Sequence, residues 1–146
     1  MTLATTKDED LLAIEGNIEK LSKLEAEMLK HEQIDIEVSH YFAPGVYCRE
    51  MRVPKGVMLT GKIHRHSHMN IMSKGDATIV NEDGKIRVQA PYSFVSKPGT
   101  KRAFYAHEDT VWTTIHATDE TDLEKLEDEI IAESIEKLLE NEKCLG

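Results

Sequence analysis

The chain has 146 residues, of which 40% are hydrophobic and 31% are charged, and its net charge is −9. This length corresponds to one ordinary domain with a sizeable core, and the composition excludes an intrinsically disordered protein. The sequence shows no apolar run long enough for a membrane span and no N-terminal signal-peptide pattern, and its two cysteines, Cys48 and Cys144, exclude a disulfide framework, so we expect a cytoplasmic protein with reduced thiols.

The charge is unevenly distributed along the chain. Residues 1–44 carry a net charge of −6, residues 45–107 carry +7 and residues 108–146 carry −10. A basic middle between two acidic arms favours a small anionic ligand over a nucleic-acid polymer as the partner. The alternative is that these charges simply face solvent.

The N-terminal part predicts an amphipathic helix. A capping box at Thr6-Lys7-Asp8-Glu9 precedes apolar residues at helical spacing, and Glu25 interrupts their stripe. We therefore assign residues 1–33 to an N-terminal helical segment, with the helix over 7–31. The apolar stripe has two possible partners, the domain itself or a second chain.

The middle of the chain, residues 34–118, changes to the two-residue period of strands. Val, Ile, Thr and aromatic residues alternate with polar ones between closely spaced turn signals, of which Asp83-Gly84 is the firmest hairpin signal. Seven or eight short strands at this spacing predict an antiparallel sandwich or barrel. On the last strand, Trp112, Thr114 and His116 share one face.

The C-terminal part returns to helical spacing. Thr121-Asp122-Leu123-Glu124 is a second capping box, and a run of Leu and Ile residues follows it at helical intervals. Residues 119–146 are therefore predicted to form one amphipathic helix. The expected architecture is mainly β, a single small barrel flanked by an N-terminal and a C-terminal helix.

Three histidines occur at alternate positions in Gly61-Lys62-Ile63-His64-Arg65-His66-Ser67-His68-Met69-Asn70. On a continuous strand these three side chains point to one face, which predicts a divalent transition-metal site. The alternative is an exposed edge strand without a ligand. His116 is a further candidate, either as a ligand or as a hydrogen-bonding wall residue.

Residues 56–107 resemble a small cupin, the double-stranded β-helix family. The His64-to-Asn70 segment followed by Gly75 resembles cupin motif one, and Lys97-Pro98-Gly99-Thr100-Lys101-Arg102-Ala103-Phe104 resembles motif two. Cupins with the full set bind a metal through two histidines, one glutamate and a third histidine. The resemblance therefore implies a cupin barrel and a possible iron, manganese, nickel or zinc ion held by His64, His66 and His68.

The chain departs from the cupin pattern at two ligand positions. Asn70 stands where the family has its glutamate, and Arg102 stands where motif two has its histidine, so His107 becomes the candidate for the fourth ligand. An arginine in this position favours direct binding of a carboxylate or phosphate. The candidate anion-binding residues are Arg102, Lys101, Lys62, Arg65 and His116.

Three function classes follow, and the sequence favours the first narrowly. The first is a non-enzymatic binder of a small anion such as a nucleotide or sugar phosphate. The second is a metal-dependent oxygenase, isomerase or lyase. The third is a structural or assembly protein. Residues 108–123 are similar to uncharacterised cupin-like proteins of bacteriophages, which suggests a phage protein in the host cytoplasm; under the first class it would sequester a host signal molecule. A homodimer or higher homo-oligomer is expected.

Overall fold

The computed structural model describes residues 3–5, 18–81 and 84–132. Its two helices are α1 (Ile18–Met28) and α2 (Leu123–Ile130). Its twelve strands are, in chain order, β1 (Leu3–Thr5), β2 (Glu37–Ala43), β3 (Val46–Val53), β4 (Met58–Thr60), β5 (Ile63–His64), β6 (His68–Lys74), β7 (Asp76–Asn81), β8 (Gly84–Gln89), β9 (Tyr92–Ser96), β10 (Ala103–Ala106), β11 (Thr110–Ala117) and β12 (Ile131–Ala132).

Ten of these strands form two five-stranded antiparallel sheets. Sheet one has the order β1-β4-β10-β7-β8, and sheet two has the order β2-β3-β11-β6-β9. The two sheets enclose a core to which both contribute: Met51, Val53, Met72 and Trp112 from sheet two, and Leu59, Ala77, Ile79, Val88, Phe104 and Ala106 from sheet one, with Val57. The predicted mainly β barrel architecture is thus confirmed.

Strand β11 shows how side-chain alternation creates the two faces of the wall. Thr110, Trp112, Thr114 and His116 are buried, whereas the residues between them are half-buried. Successive side chains of a strand point to opposite faces, so the first set faces the barrel interior. The predicted grouping of Trp112, Thr114 and His116 on one face is confirmed.

Helix α1 packs on the outer face of sheet one. Leu21, Leu24 and Met28 are buried against Met58, Val80 and Ala103. The apolar stripe of this helix therefore packs on its own domain. The predicted helix over 7–31 is described only for Ile18–Met28, and its capping box lies outside the described residues.

Helix α2 lies over one end of the barrel. The carboxylate of Asp122 caps it by accepting hydrogen bonds from the amides of Glu124 and Lys125. Leu126 and Ile130 pack on Tyr47 of β3. The helix ends at Ile130, because Ile131 is extended and pairs with His64 of β5. The prediction of one helix over 119–146 therefore differs from the structure at this point, and residues 133–146 lie outside the described part.

Neither described helix is long and apolar enough to cross a membrane.

Candidate functional site

A cavity of about 340 Å³ lies inside the barrel, between the two sheets and beneath α2. Its apolar wall contains Met51, Leu59, Phe104 and Trp112. Its polar residues include Arg49, His64, His68, Asn70, Arg102, Thr114 and His116, and Lys62 and Glu127 lie at its rim. It is the candidate site.

Three imidazole rings form a cluster in this cavity, which we call the histidine cluster: His64, His68 and His116. The ring centroids of His64 and His68 are 4.3 Å apart, those of His68 and His116 are 4.8 Å apart, and those of His64 and His116 are 5.6 Å apart. The rings of His64 and His116 are nearly parallel, with an interplanar angle of 5°. His64 and His116 thus stack on each other, whereas the ring of His68 is tilted against both, and all three rings line the cavity.

The loop between β5 and β6 separates His66 from this cluster. The chain leaves strand geometry at residues 65–67, and His66 is exposed on that loop. The prediction that all three alternate histidines share one strand face is therefore wrong, since it required a continuous strand. His116, from the other end of the chain, occupies the third position.

Strand alternation at β10 separates two neighbouring cations. Arg102 lies just before β10 and points inward, as Phe104 and Ala106 do at the next alternate positions, and it lines the cavity. Lys101 is on the outward phase, and its ammonium forms an ion pair with Glu25 of α1. His107 continues the outward phase, where its Nε2 lies 2.7 Å from Oγ1 of Thr78. Of these three predicted site residues, the structure brings only Arg102 to the cavity.

The other two predicted cations have different positions. Arg65 donates from Nε to the backbone carbonyls of Asp128 and Ile131, at 3.1 and 2.8 Å, so it anchors the end of α2. Lys62 is exposed and reaches the rim of the cavity.

A hydrogen-bond network fixes the floor of the cavity. Arg102 donates to Oγ of Ser96, and its guanidinium lies 4.9 Å from the ring centroid of Phe94. Asn70 donates to the same Ser96 hydroxyl at 2.7 Å and accepts from Nε1 of Trp112 at 3.2 Å. The single N–H donor of the Trp112 indole is therefore hydrogen-bonded within the protein, and the ring lines the cavity.

Arg49 and His40 line the cavity although neither was among the predicted site residues. Arg49 lies on the inward phase of β3 and lines the cavity, whereas Arg52, three residues later, faces outward and pairs with Glu37 and Glu50. Because residues three apart on a strand face opposite sides, the sequence allows at most one of these two arginines in the interior and does not decide which. His40 lies at the mouth, where its Nδ1 is 2.6 Å from the hydroxyl of Tyr47.

Solved structures share this architecture. KdgF from Halomonas sp. matches with a TM-score of 0.52 at 18% identity, over 65% of this chain and 93% of that one. A cupin superfamily protein from Desulfitobacterium hafniense matches with a TM-score of 0.51 at 12% identity, over 64% of this chain and 87% of that one. The chain has the cupin fold. An acetylacetone dioxygenase from Acinetobacter johnsonii also matches, with a TM-score of 0.48 at 13% identity over 56% of this chain, and this chain spans 59% of that enzyme.

Comparison by sequence finds less. No protein-family model matches the chain, and no curated protein matches it significantly. The similarity to known proteins is therefore one of fold.

The ligand set expected from the cupin pattern does not fit this cavity. Asn70 has both ends of its amide engaged in the floor network, His66 is exposed, and His107 lies on the outer face of sheet one. Across residues 3–5, 18–81 and 84–132, no group of three or more His, Cys, Asp or Glu side chains is arranged to hold a metal ion. Of the four predicted ligands His64, His66, His68 and His107, only His64 and His68 come together.

Burial keeps the histidine cluster neutral at pH 7. It lowers the pKa of His64 to about 3, with the neighbouring imidazoles and Arg102 adding to the effect. Burial likewise lowers the pKa of His68 to about 4 and that of His116 to about 4. Desolvation disfavours the charged imidazolium, and nearby positive charge disfavours it further. The permanent positive charge inside this cupin barrel is therefore guanidinium charge.

Proposed function

We propose that this protein is a cupin-fold small-molecule-binding protein whose barrel cavity holds a small anionic ligand. The observation that carries the proposal is the placement of Arg49 and Arg102 in one cavity with three neutral imidazoles. A volume of about 340 Å³ is in the range of small-molecule sites.

Arg102 is the residue on which this proposal depends most. A guanidinium has five N–H donors in a planar fork that matches a carboxylate or a phosphate, and it stays charged when half-buried. The contact with Ser96 and the stacking on Phe94 hold its plane in place. A cation fixed in this way binds an anion with little loss of side-chain entropy.

The test compares two arginine variants purified under native conditions. Mass spectrometry of the wild type and of Arg52→Gln is expected to show a copurified small anion, or uptake of one from a panel of carboxylates and phosphates, that Arg102→Gln lacks. Arg52 is the matched control because it lies on the outer face of sheet two. Equal anion content in Arg102→Gln and the wild type, with both variants folded, would overturn the proposal.

A metal-dependent enzyme is the second candidate, and one observation favours it. Nε2 of His68 is buried without a hydrogen-bond partner, beside two further imidazoles. Elemental analysis of untagged protein, purified without chelator and without a nickel column, tests this candidate. About one equivalent of a transition metal per chain, lost in the His68→Gln/His116→Gln variant and retained in His66→Gln, would establish the metal site that this candidate requires. Absence of metal from the wild type would eliminate it.

A further inference from the structure

The polar and apolar parts of the cavity are segregated. Met51, Leu59, Phe104 and Trp112 form one continuous apolar region of the core. The indole N–H of Trp112 is hydrogen-bonded to Asn70, so this region presents only hydrocarbon and aromatic surface to a ligand. A sugar phosphate, polar over its whole surface, would leave its hydroxyl groups unpaired against this wall, and so would the ribose of a nucleotide.

The polar part contains a cation and an acceptor. Nδ1 of His68 lies 3.5 Å from the carbonyl oxygen of His66. A carbonyl oxygen only accepts, so Nδ1 carries the proton and Nε2 presents its lone pair. This Nε2 is buried and has no hydrogen-bond partner. In the anion-binding site proposed above, a donor group on the ligand satisfies it.

Arg102 and His68 face the same cavity. The amide of Gly61 donates to the carbonyl of Arg102 at 3.1 Å, and the amide of Gly99 donates to the carbonyl of His64 at 2.9 Å, which ties the Arg102 segment to the segment that carries the cluster. Arg102 and His68 both line the cavity. A ligand within it therefore meets a cation and a hydrogen-bond acceptor side by side.

We propose that the ligand is a small hydroxy acid with an apolar body. Its carboxylate binds Arg102, its hydroxyl group donates to Nε2 of His68, and its hydrocarbon part packs on Trp112 and Phe104. This inference rests on the proposed function, since it names the chemical class of the anion. It replaces the sugar phosphate or nucleotide expected from charge alone.

The experiment uses three ligands that differ by one group each. The probes are 3-phenyllactate, 3-phenylpropionate without the hydroxyl, and 3-phenylpropane-1,2-diol without the carboxylate. Trp112 is the single tryptophan of the chain and lines the cavity, so its fluorescence reports binding directly, and calorimetry checks the affinities. We expect 3-phenyllactate to bind about tenfold more tightly than 3-phenylpropionate, and the diol to bind more weakly still.

Two variants assign the contacts. His68→Leu should lower the affinity for 3-phenyllactate to that for 3-phenylpropionate and leave the latter unchanged. Arg102→Met should remove the preference for both acids over the diol. His66→Leu, on the exposed loop, is the matched control and should retain the wild-type affinities.

The outcomes separate this inference from the proposed function. Equal affinity for the two acids would overturn the role of the hydroxyl group. Binding of adenosine monophosphate or inorganic phosphate in an Arg102-dependent way, without binding of either acid, would overturn the hydroxy acid and preserve anion binding. Absence of binding of every anion to the folded wild type would overturn both.

Discussion

The indole Nε1 of Trp112 donates a hydrogen bond of 3.2 Å to Oδ1 of Asn70 in the floor of the cavity. Asn70 is fully buried, and its Nδ2 donates to Ser96. The residue that replaces the glutamate of the cupin pattern is thus a structural part of the wall. Its amide needs both an acceptor and a donor as neighbours, and Ser96 and Trp112 supply them.

Replacing Asn70 with Ala should destabilise the fold by about 1–3 kcal/mol, because it leaves the buried Trp112 N–H without an acceptor. Urea unfolding followed by circular dichroism measures the change. A double-mutant cycle with Trp112→Phe provides the control, since the pair should be less destabilising than the sum of the single variants. Strict additivity would show that the hydrogen bond contributes nothing.

Stability should fall as the pH is lowered from about 6.5 to about 4. The folded pKa values of His64, His68 and His116 are about 3, about 4 and about 4, below the ordinary value of 6.5. In this window the unfolded chain binds more protons than the folded one, so the unfolding free energy decreases by up to about 1.4 kcal/mol per pH unit for each histidine. Urea unfolding at pH 7, 6 and 5 measures this slope.

One carboxylate titrates outside this pH window, and one variant tests the assignment to the histidines. Arg87 lowers the pKa of Asp76 to about 2, so this carboxylate contributes stability that is lost only below about pH 4, outside the window. A His116→Gln variant should show a shallower slope than the wild type between pH 7 and 5, because it removes one of the three lowered pKa values. An unchanged slope in His116→Gln would contradict the assignment.

Replacing Lys101 with Met should reduce stability and leave anion affinity unaltered. The ion pair with Glu25 is nearly buried, with side-chain exposures of 11% and 12%, and removal of one partner strands the other charge. Such a loss costs about 3–5 kcal/mol. Thermal and urea unfolding measure it, and Glu25→Gln combined with Lys101→Met should recover most of the loss. Weaker ligand binding by folded Lys101→Met would argue against its position on the outer face.

Gly75→Ala should be strongly destabilising. Gly75 has φ +112, and a Cβ atom there would lie 2.2 Å from Oγ1 of Thr110 and 2.7 Å from its Cα. Gly56→Ala is the matched control, because Gly56 has φ +84 with nothing within 4 Å of the added atom. It should lose only the cost of the left-handed backbone, about 1–2 kcal/mol. Equal losses in the two variants would contradict the steric argument.

Much of the fold was predictable because period-two alternation reports burial directly. The inward position of Trp112 and His116 follows from it, and so does the limit that one of Arg49 and Arg52 faces inward. The separation of Lys101 from Arg102 follows from the same rule once β10 is placed. Both were predicted to bind the anion, because the turn motif that contains them does not show which side chain points inward.

The histidine cluster was predictable only in part. His64, His68 and His116 are three of the predicted residues, but the break at residues 65–67 that exposes His66 depends on how β5 and β6 join different sheets. His107 does not reach the cavity for a similar reason. Side chains alternate between the two faces of the sheet, so a shift of one residue decides whether His107 points inward or outward. The assignments of ligand, metal and oligomeric state stay predictions.

Glu25 had appeared only as an interruption of the helical stripe. In the structure it lies among Leu21, Leu24 and Met28 at the interface of α1 with sheet one and meets Lys101 there. A single charged residue inside an apolar stripe therefore marked the contact with a buried cation.

The acidic composition of α2 has a consequence for the kinetics of ligand entry. This helix lies at the mouth of the cavity and carries four acidic residues and one lysine, while the guanidinium groups lie deeper. The anionic ligand proposed above would pass a repulsive zone before it reaches an attractive one. Added salt screens the exposed carboxylates more than the buried guanidinium groups, so we expect the association rate constant of the ligand to rise with ionic strength. The same repulsion should slow the entry of highly charged anions most.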